Sequence, residues 1–551
     1  MTLRTSLLLL FVLFFSSSFF ACKKSETLPS VNITIDSSVI HLKNDEAYRS
    51  CRVYVSIQNL QPGESDEVIW SSENPRVARV SQDGLISPEG AGETYVLATM
   101  VSGKGIAKCK VIVTDANDYK FRLVLKDKGN SNFSFNRPEA YLSLKAIERR
   151  RKMNISIDAT DLPISEEYLD AIRKVGGTIV AKSKWLNTVS INCSDKFLID
   201  KYKTLPFVKD VIMVWEGKRM TSPPNQKYTD IAQVTANHTN NVNFDYGSAS
   251  DNIRMNNGQV LHQQGFKGAG IDIAVIDAGF ISLKSNPAFK NVNIKGAKSF
   301  IYEDDNPYAV DDHGIFVTSC MAINLPGTYV GTAPEANYWL FRTEDRSSEA
   351  PIEEDYWVNA AEYADSVGVD IINSSLTYSN YGSFSDMNKI EDLDGKTAFA
   401  TRGANAAVSK GIFLVNCAGN DNTYVGTPAD SPGVLTVGSV NSSRNMDRFN
   451  SWGFTADGRI KPDVMAKGGG ASVINVLGNS EKLNGTSFAS PIICGLVACL
   501  WQAYPRLTNK ELLEVIKKSA DRASNPVLPY GYGIPDMQIA MDMSKAITIS
   551  R

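Results

Sequence analysis

The run Asn484-Gly485-Thr486-Ser487-Phe488-Ala489-Ser490-Pro491 leads straight into a small, apolar segment, residues 492–501. The pattern predicts a core helix with a hydroxyl at its mouth. Thr486 is placed to cap the first turn, Gly485 to let the chain bend sharply before it, and Pro491 early enough to kink the helix without forbidding it. A serine in that position borrows the helix's free N–H groups and the positive end of its dipole, which lie where an oxyanion could form beside Ser487 Oγ. An ordinary Ser/Thr-capped core helix has the same local sequence, so the rest of the chain has to decide between the two.

At 551 residues the chain is too long for one domain and predicts three or four. A formal charge of −3 gives no electrostatic reason to expect nucleic acid or an anionic membrane surface as partner. Apolar content of 43% and charged content of 21% are ordinary for a globular protein. Residues 1–21 read as a secretion signal, with Arg4 as the positive end and an apolar run over residues 7–20 broken by Ser16–Ser18. The run stops at Ala21-Cys22, followed by Lys23-Lys24-Ser25-Glu26, and resembles the cleavage site of bacterial lipoproteins. That resemblance implies Cys22 as the lipidated first mature residue, although Phe19-Phe20 stand where a leucine and a small residue are usual. Without Cys22, seven of the eight cysteines remain, an odd number that cannot all pair. No CxxC pair or His/Cys cluster has metal-ligand spacing, so no zinc site is expected.

Residues 31–114 alternate apolar and polar positions in short runs separated by turn residues, which predicts a β-sandwich. Within it Trp70-Ser71-Ser72-Glu73-Asn74-Pro75 with Val77-Ala78-Arg79-Val80, Asp83-Gly84-Leu85-Ile86 and Gly90-Ala91-Gly92-Glu93-Thr94 resembles the bacterial immunoglobulin-like group 2 domain. Trp70 is then core, Asp83-Gly84 turns a hairpin, and Cys51 and Cys109 either bridge strands or stay as core thiols. Residues 119–220 change to mixed strand and helix, with helices expected over 139–151, 166–175 and 195–202, as in a small α+β sandwich. Residues 221–245 are a polar linker that cannot build a core and offers an extended, cleavable segment. From residue 246 to 549, buried apolar strands (271–276, 370–373, 412–416, 435–440) alternate with helices, as in a parallel α/β sheet with its site at the C-terminal strand ends.

Those strand ends carry chemistry. Asp277-Ala278-Gly279 closes the first strand, where an aspartate is otherwise a common turn cap. Of the four histidines, His41 falls in the β-sandwich, His238 in the linker and His262 on a helix before the first core strand. His313, in Asp311-Asp312-His313-Gly314-Ile315-Phe316-Val317-Thr318-Ser319, is left as the imidazole base. Asn420, in Asn416-Cys417-Ala418-Gly419-Asn420, follows a buried strand and can aim an amide N–H into the cleft. The order Asp, His, Asn, Ser is that of the subtilisin-like serine peptidases. Residues 246–549 resemble that family, most specifically through Gly485-Thr486-Ser487-Phe488-Ala489-Ser490-Pro491 and the late Gly531-Tyr532-Gly533-Ile534-Pro535-Asp536. Three details depart from its pattern: Ala278 follows the acid, Ile315-Phe316 and Ser319 surround the base, and Thr377 stands where a glycine is frequent.

The resemblance implies a multidomain protein: a subtilisin-like α/β catalytic domain behind an all-β immunoglobulin-like sandwich and a small α+β prodomain that acts as intramolecular chaperone and inhibitor. It implies Asp277, His313 and Ser487 as catalytic triad and Asn420 in the oxyanion hole. It further implies that Ser374, Ser375, Leu376, Ala418 and Gly419 bind a protein or peptide substrate. No cofactor is required. Glu303-Asp304-Asp305 and Asp311-Asp312 invite a structural calcium, as in many relatives, but give no complete ligand set and read as a solvated loop. The expected location is an exported lipoprotein of the outer membrane or cell surface, with cleavage in the linker cutting the enzyme's covalent tie to the anchor. The competing reading is a non-enzymatic surface lipoprotein, a binding protein that keeps a protease-like scaffold. The complete residue set argues against it.

Overall fold

A computed structural model describes residues 30–43, 50–89, 92–114, 118–194, 198–217, 245–301, 306–308, 310–345, 349–379, 381, 384 and 386–550. The expected signal segment, Cys22, Glu303-Asp304-Asp305 and all of the linker except Asp245 lie outside these residues. The chain divides into two compact units, residues 1–115 and 116–551.

Among its described residues the first unit holds strands and no helix. Strands Val39–Lys43, Val68–Ser72, Gly92–Met100 and Ile106–Thr114 form one sheet, and Cys51–Arg52, Ala78–Val80 and Leu85–Pro88 form a second. Period-two alternation turns Val96, Ala98, Val111 and Val113 inward onto Trp70 and Ile86. Gly84 takes φ +78 in the turn after Asp83, where a side chain would strike the Val53 carbonyl. Cys51 and Cys109 are free thiols, so the cross-strand bridge is not made.

The second unit begins with a four-stranded antiparallel sheet in the order β2-β3-β1-β4: β1 (Asp118–Leu125), β2 (Thr178–Ser183), β3 (Thr188–Cys193) and β4 (Val208–Gly217). Helices α2 (Glu166–Val175) and α3 (Leu198–Lys203) cover one face, Leu169 and Ile172 meeting Phe121, Leu123 and Ile191. The single helix expected over 139–151 is broken. Pro138–Ala140 makes a 3-10 turn, and α1 (Leu144–Lys152) starts only where extended Ser143 accepts the Ala146 N–H. A serine at that point competes for the backbone and caps the helix instead of continuing it.

The rest is a seven-stranded, all-parallel sheet: β5 (Asp272–Asp277), β6 (Asn293–Ser299), β7 (Asn337–Arg342), β8 (Ile371–Ser374), β9 (Phe413–Cys417), β10 (Val434–Val440) and β11 (Val464–Lys467), ordered β6-β7-β5-β8-β9-β10-β11. Helices α4 (His313–Ala322) and α7 (Thr486–Ala503) share a core with one face, and α5 (Ile352–Val367) and α6 (Phe399–Ser409) with the other. Both faces being covered explains why β5, β8, β9 and β10 are buried at every residue. The chain leaves β5 toward β6 and β7 on one side and returns through β8 on the other. The sheet therefore opens a crevice at the C-terminal ends of β5 and β8.

Candidate active site

Asp277 ends β5 fully buried, and its Oδ1 accepts the Ala278 N–H at 2.8 Å. The same oxygen accepts Nδ1–H of His313 at 2.7 Å. His313 is the first residue of α4, its own N–H donating to Asp311 Oδ1 at 2.9 Å. The pair meets because the turn after β5 lies flush on the start of α4: Gly314 N–H donates to the Gly279 carbonyl at 3.0 Å. A Cβ at Gly279 would sit 2.1 Å from the Val310 carbonyl and one at Gly314 only 2.3 Å from the Gly279 carbonyl, so neither position has room for a side chain. With Nδ1 donating to a carboxylate, Nε2 is the ring nitrogen left to take a proton. His262, by contrast, is locked in the core. Its Nε2–H donates to the Thr332 carbonyl at 3.0 Å and its Nδ1 accepts from the Tyr246 hydroxyl at 3.1 Å.

Ser487 is the second residue of α7 and 6% exposed. At that place its N–H precedes those that enter the i→i−4 ladder, so it points out of the helix mouth. The Phe488 ring lies 6.1 Å from the His313 ring, which brings the start of α7 beside the imidazole. Thr486 does not cap its helix as expected. Gly485 holds the N-cap position, and Thr486, already helical, sends its N–H and hydroxyl to Asn420 Oδ1, each at 2.9 Å. A backbone N–H can only donate, so the atom it meets must be the amide oxygen, and the Asn420 NH2 is left facing away from Thr486. Asn420 itself is exposed.

Pro491 lies inside α7 and has no N–H for the Ser487 carbonyl four residues back. That carbonyl accepts the Ser375 hydroxyl at 2.9 Å instead. Ser375 accepts from Asn373 Nδ2 at 3.2 Å, and Asn373 Oδ1 accepts the Ser490 hydroxyl at 2.8 Å. Sequence reading missed this buried network, although a lone asparagine among Ile371 and Ile372 in an apolar strand was its signal. Ser319, one of the departures noted around the base, has bonds of its own: its hydroxyl donates to the Phe316 carbonyl at 2.7 Å and accepts the Ile474 N–H at 2.9 Å.

The expected substrate-binding residues fare differently. Ser374 is not on an open edge: its main chain is paired between Ile276 of β5 and Asn416 of β9, and its hydroxyl accepts from Trp357 Nε1 at 3.0 Å. Both main-chain groups of Gly419 are engaged, N–H with the Thr486 hydroxyl and carbonyl with the Ser451 N–H, and Ala418 is buried. Ser375 is buried and Leu376 half-buried, past the end of β8, the Leu376 carbonyl accepting from Asn416 Nδ2 at 2.9 Å.

Around the crevice, Glu344 follows β7 and accepts the Tyr378 hydroxyl at 2.6 Å. Burial pushes its carboxyl up to about 8, against the opposing pull of that hydroxyl. Burial likewise pushes the Cys417 thiol up to about 12, which leaves it a packing residue. Cys494 and Cys499 are fully buried and raised for the same reason. Among the described residues no three His, Cys, Asp or Glu side chains converge to hold a metal ion.

Residues 268–534 match the subtilase family, peptidase S8, and residues 120–230 match the peptidase S8 propeptide domain of Bacteroidota. Subtilisin of Bacillus pumilus is 30% identical over 289 residues, covering 51% of this chain and 94% of that protein. Subtilisin E of Bacillus subtilis (strain 168) is 28% identical over 385 residues, covering 68% of this chain and 86% of its own length. The membrane-bound transcription factor site-1 protease of Rattus norvegicus is 29% identical over 253 residues, 44% of this chain and 22% of that protein. An aspartate–histidine contact at the switch point of a parallel sheet, with a serine at a helix mouth beside it, is the architecture of a serine-type endopeptidase. The chain belongs to the subtilase family and carries that family's propeptide domain ahead of its peptidase domain.

Proposed function

We propose that Ser487 is the nucleophile, His313 the general base and Asp277 the group that orients it. The observation that carries this reading is the 2.7 Å contact from His313 Nδ1 to Asp277 Oδ1, which makes Nε2 the basic nitrogen of the neutral ring. In acylation the Ser487 hydroxyl proton passes to Nε2 as Oγ bonds to the substrate carbonyl carbon. The carbonyl electrons move onto oxygen, which the Asn420 NH2 and the Ser487 N–H receive. Collapse breaks the peptide bond, and His313 returns its proton to the departing amine. Water then repeats the sequence on the acyl-enzyme and frees the acid product.

The substrate is an extended peptide lying along the main chain of residues 375–377, just past the point where β8 leaves the sheet. The protein acts outside the cytoplasm, tethered by a lipid on Cys22, with residues 31–114 as an immunoglobulin-like spacer. The support is the signal-like residues 1–21 and the strands of the first unit.

The decisive experiment labels the expressed protein with a fluorophosphonate beside Ser487→Ala. Serine-dependent label on a shortened band supports the nucleophile and removal of the propeptide domain together. Equal label on Ser487→Ala would discard Ser487. Fatty-acid labelling that survives Cys22→Ala would discard the anchor.

A further inference from the structure

After β11 the chain makes a hairpin, β12 (Ala471–Ile474) and β13 (Ser480–Leu483), paired from Ala471 opposite Leu483 to Ile474 opposite Ser480. The bonding does not stop where β13 ends. Gly470 N–H donates to Asn484 Oδ1 at 2.7 Å, and Gly485 N–H donates to the Gly468 carbonyl at 3.2 Å. The cross-chain bonds therefore run on to within two residues of Ser487. The hairpin and the mouth of α7 are one hydrogen-bonded piece.

In a two-stranded hairpin every second residue turns its N–H and carbonyl away from the partner strand, and such groups need partners of their own once buried. In β12 these residues are Ser472 and Ile474, 2% and 1% exposed. Ser472 exchanges both groups with Asn252, its N–H reaching Oδ1 at 3.2 Å and its carbonyl accepting Nδ2 at 2.8 Å. The same carbonyl accepts the Tyr329 hydroxyl at 2.7 Å. Ile474 N–H goes to Ser319 Oγ at 2.9 Å. Ser319 is fully buried on α4, six residues after His313, or about 9 Å along the helix axis. Its own hydrogen is used on the Phe316 carbonyl, which leaves the oxygen as the acceptor that Ile474 needs. Beyond β12, the Asn475 carbonyl accepts Asn286 Nδ2 at 2.9 Å, and Asn286 lies in the connection between β5 and β6, which follows Asp277. The piece that ends at Ser487 is thus fastened to the elements that carry His313 and Asp277.

We propose that this hairpin sets the spacing between Ser487 and His313, and that Ser319 is the positioning residue through which the histidine's helix holds it. The proposal rests on the assignment of Ser487 as nucleophile and His313 as base. Helices α4 and α7 share an apolar core, but apolar contact is non-directional and tolerates sliding along the helix axes. A hydrogen bond is made at one point. The bond from Ile474 N–H to Ser319 fixes how far along α4 the hairpin sits, and with it the chain that runs on to Ser487. A glycine at 319 offers no acceptor and leaves the Ile474 N–H buried without this partner. The spacing matters because the serine hydroxyl and the imidazole must come within hydrogen-bond reach for the proton to pass, and a displacement of about 1 Å costs up to about 10²-fold in rate.

The test compares Ser319→Ala with the parent protein on a peptide substrate, both counted by fluorophosphonate titration so that rates refer to reactive molecules alone. The expected result is kcat per titrated site lowered about 10-fold or more with KM little changed. The acid limb of the pH profile is expected to stay in place, because the bond between His313 and Asp277 is untouched. A lowered melting temperature with kcat per site unchanged makes Ser319 a packing residue and overturns the proposal, and so does a loss confined to KM. If Ser319→Ala does not fold, Asn286→Ala loosens the other fastening. It is expected to lower kcat about 3-fold, and an unchanged kcat overturns the role of the hairpin. Amide hydrogen exchange supplies a readout that needs no turnover. In a Ser487→Ala background, Ser319→Ala is expected to speed exchange across residues 471–485, and equal exchange overturns the tie. Because that measurement does not use Ser487 as a nucleophile, failure of the tie and failure of the nucleophile assignment are told apart.

Discussion

The main-chain carbonyl of Ser487 accepts the hydroxyl of Ser375 at 2.9 Å, joining the start of α7 to the chain just past β8. The bond exists because Pro491 supplies no N–H to that carbonyl. Ser375→Ala leaves a buried acceptor unpaired, and the expected cost is about 1–3 kcal/mol of stability. Denaturant unfolding in a Ser487→Ala background, where self-digestion is absent, measures it. Adding Pro491→Ala restores a helical donor and is expected to recover part of the loss. Full stability in the single variant would show that the bond contributes nothing.

Asn420 is held by its oxygen, so its NH2 is oriented before substrate arrives. Asn420→Ala is expected to lower kcat about 10²–10³-fold with KM little changed, the scale for losing one oxyanion donor in a subtilisin. Thr486→Val keeps the N–H but not the hydroxyl, and a smaller loss is expected. Steady-state kinetics on a peptide substrate check both, and a loss confined to KM would place Asn420 in ground-state binding instead.

Glu344 carries a carboxyl raised to about 8, so the native protein holds a proton there that the unfolded chain has released above its ordinary value of 4.5. The stability this contributes is complete below about pH 4.5 and is lost as pH rises through about 8. Glu344→Gln imitates the protonated form. Thermal unfolding against pH, again without Ser487, is expected to show the variant more stable than its parent above pH 8 and without advantage near pH 4. Parallel curves would contradict the assignment.

His262 has the opposite sign. Burial pushes its imidazole down to about 4, so the unfolded chain takes up a proton below 6.5 that the native core refuses. Stability from this group is present above pH 6.5 and lost as pH falls toward 4. His262→Gln is expected to lower stability at pH 7, through its lost partners Tyr246 and Thr332, yet to flatten the acid slope. An unaltered slope in differential scanning calorimetry would assign acid sensitivity to other groups.

Much of this molecule is legible along the chain. Strands β5, β8, β9 and β10 lie within one residue of the apolar runs that announce them, because a strand covered on both faces is apolar at most of its positions. Edge strand β6 is half polar and gives no such signal: it has one neighbour and one half-covered face. Thr508 caps its helix with Glu511 as the local spacing dictates. The break before α1 went unread, because Ser143 both ends one turn and starts the next, and composition alone does not separate the two roles.

The sequence by itself determined the residue types, their order and the elements that carry them: an aspartate closing a buried strand, a histidine opening a helix, a serine at a helix mouth. Those features come from periodicity and capping, which act over a few residues. Tertiary structure alone decided that Thr486 serves Asn420 instead of its own helix, that Ser375 takes the carbonyl Pro491 releases, and that Arg149 and Arg150 of one domain close the helix ends of another. Each of those bonds joins residues 66 or more positions apart, and a donor's choice among distant acceptors is made by packing, after the local elements have formed.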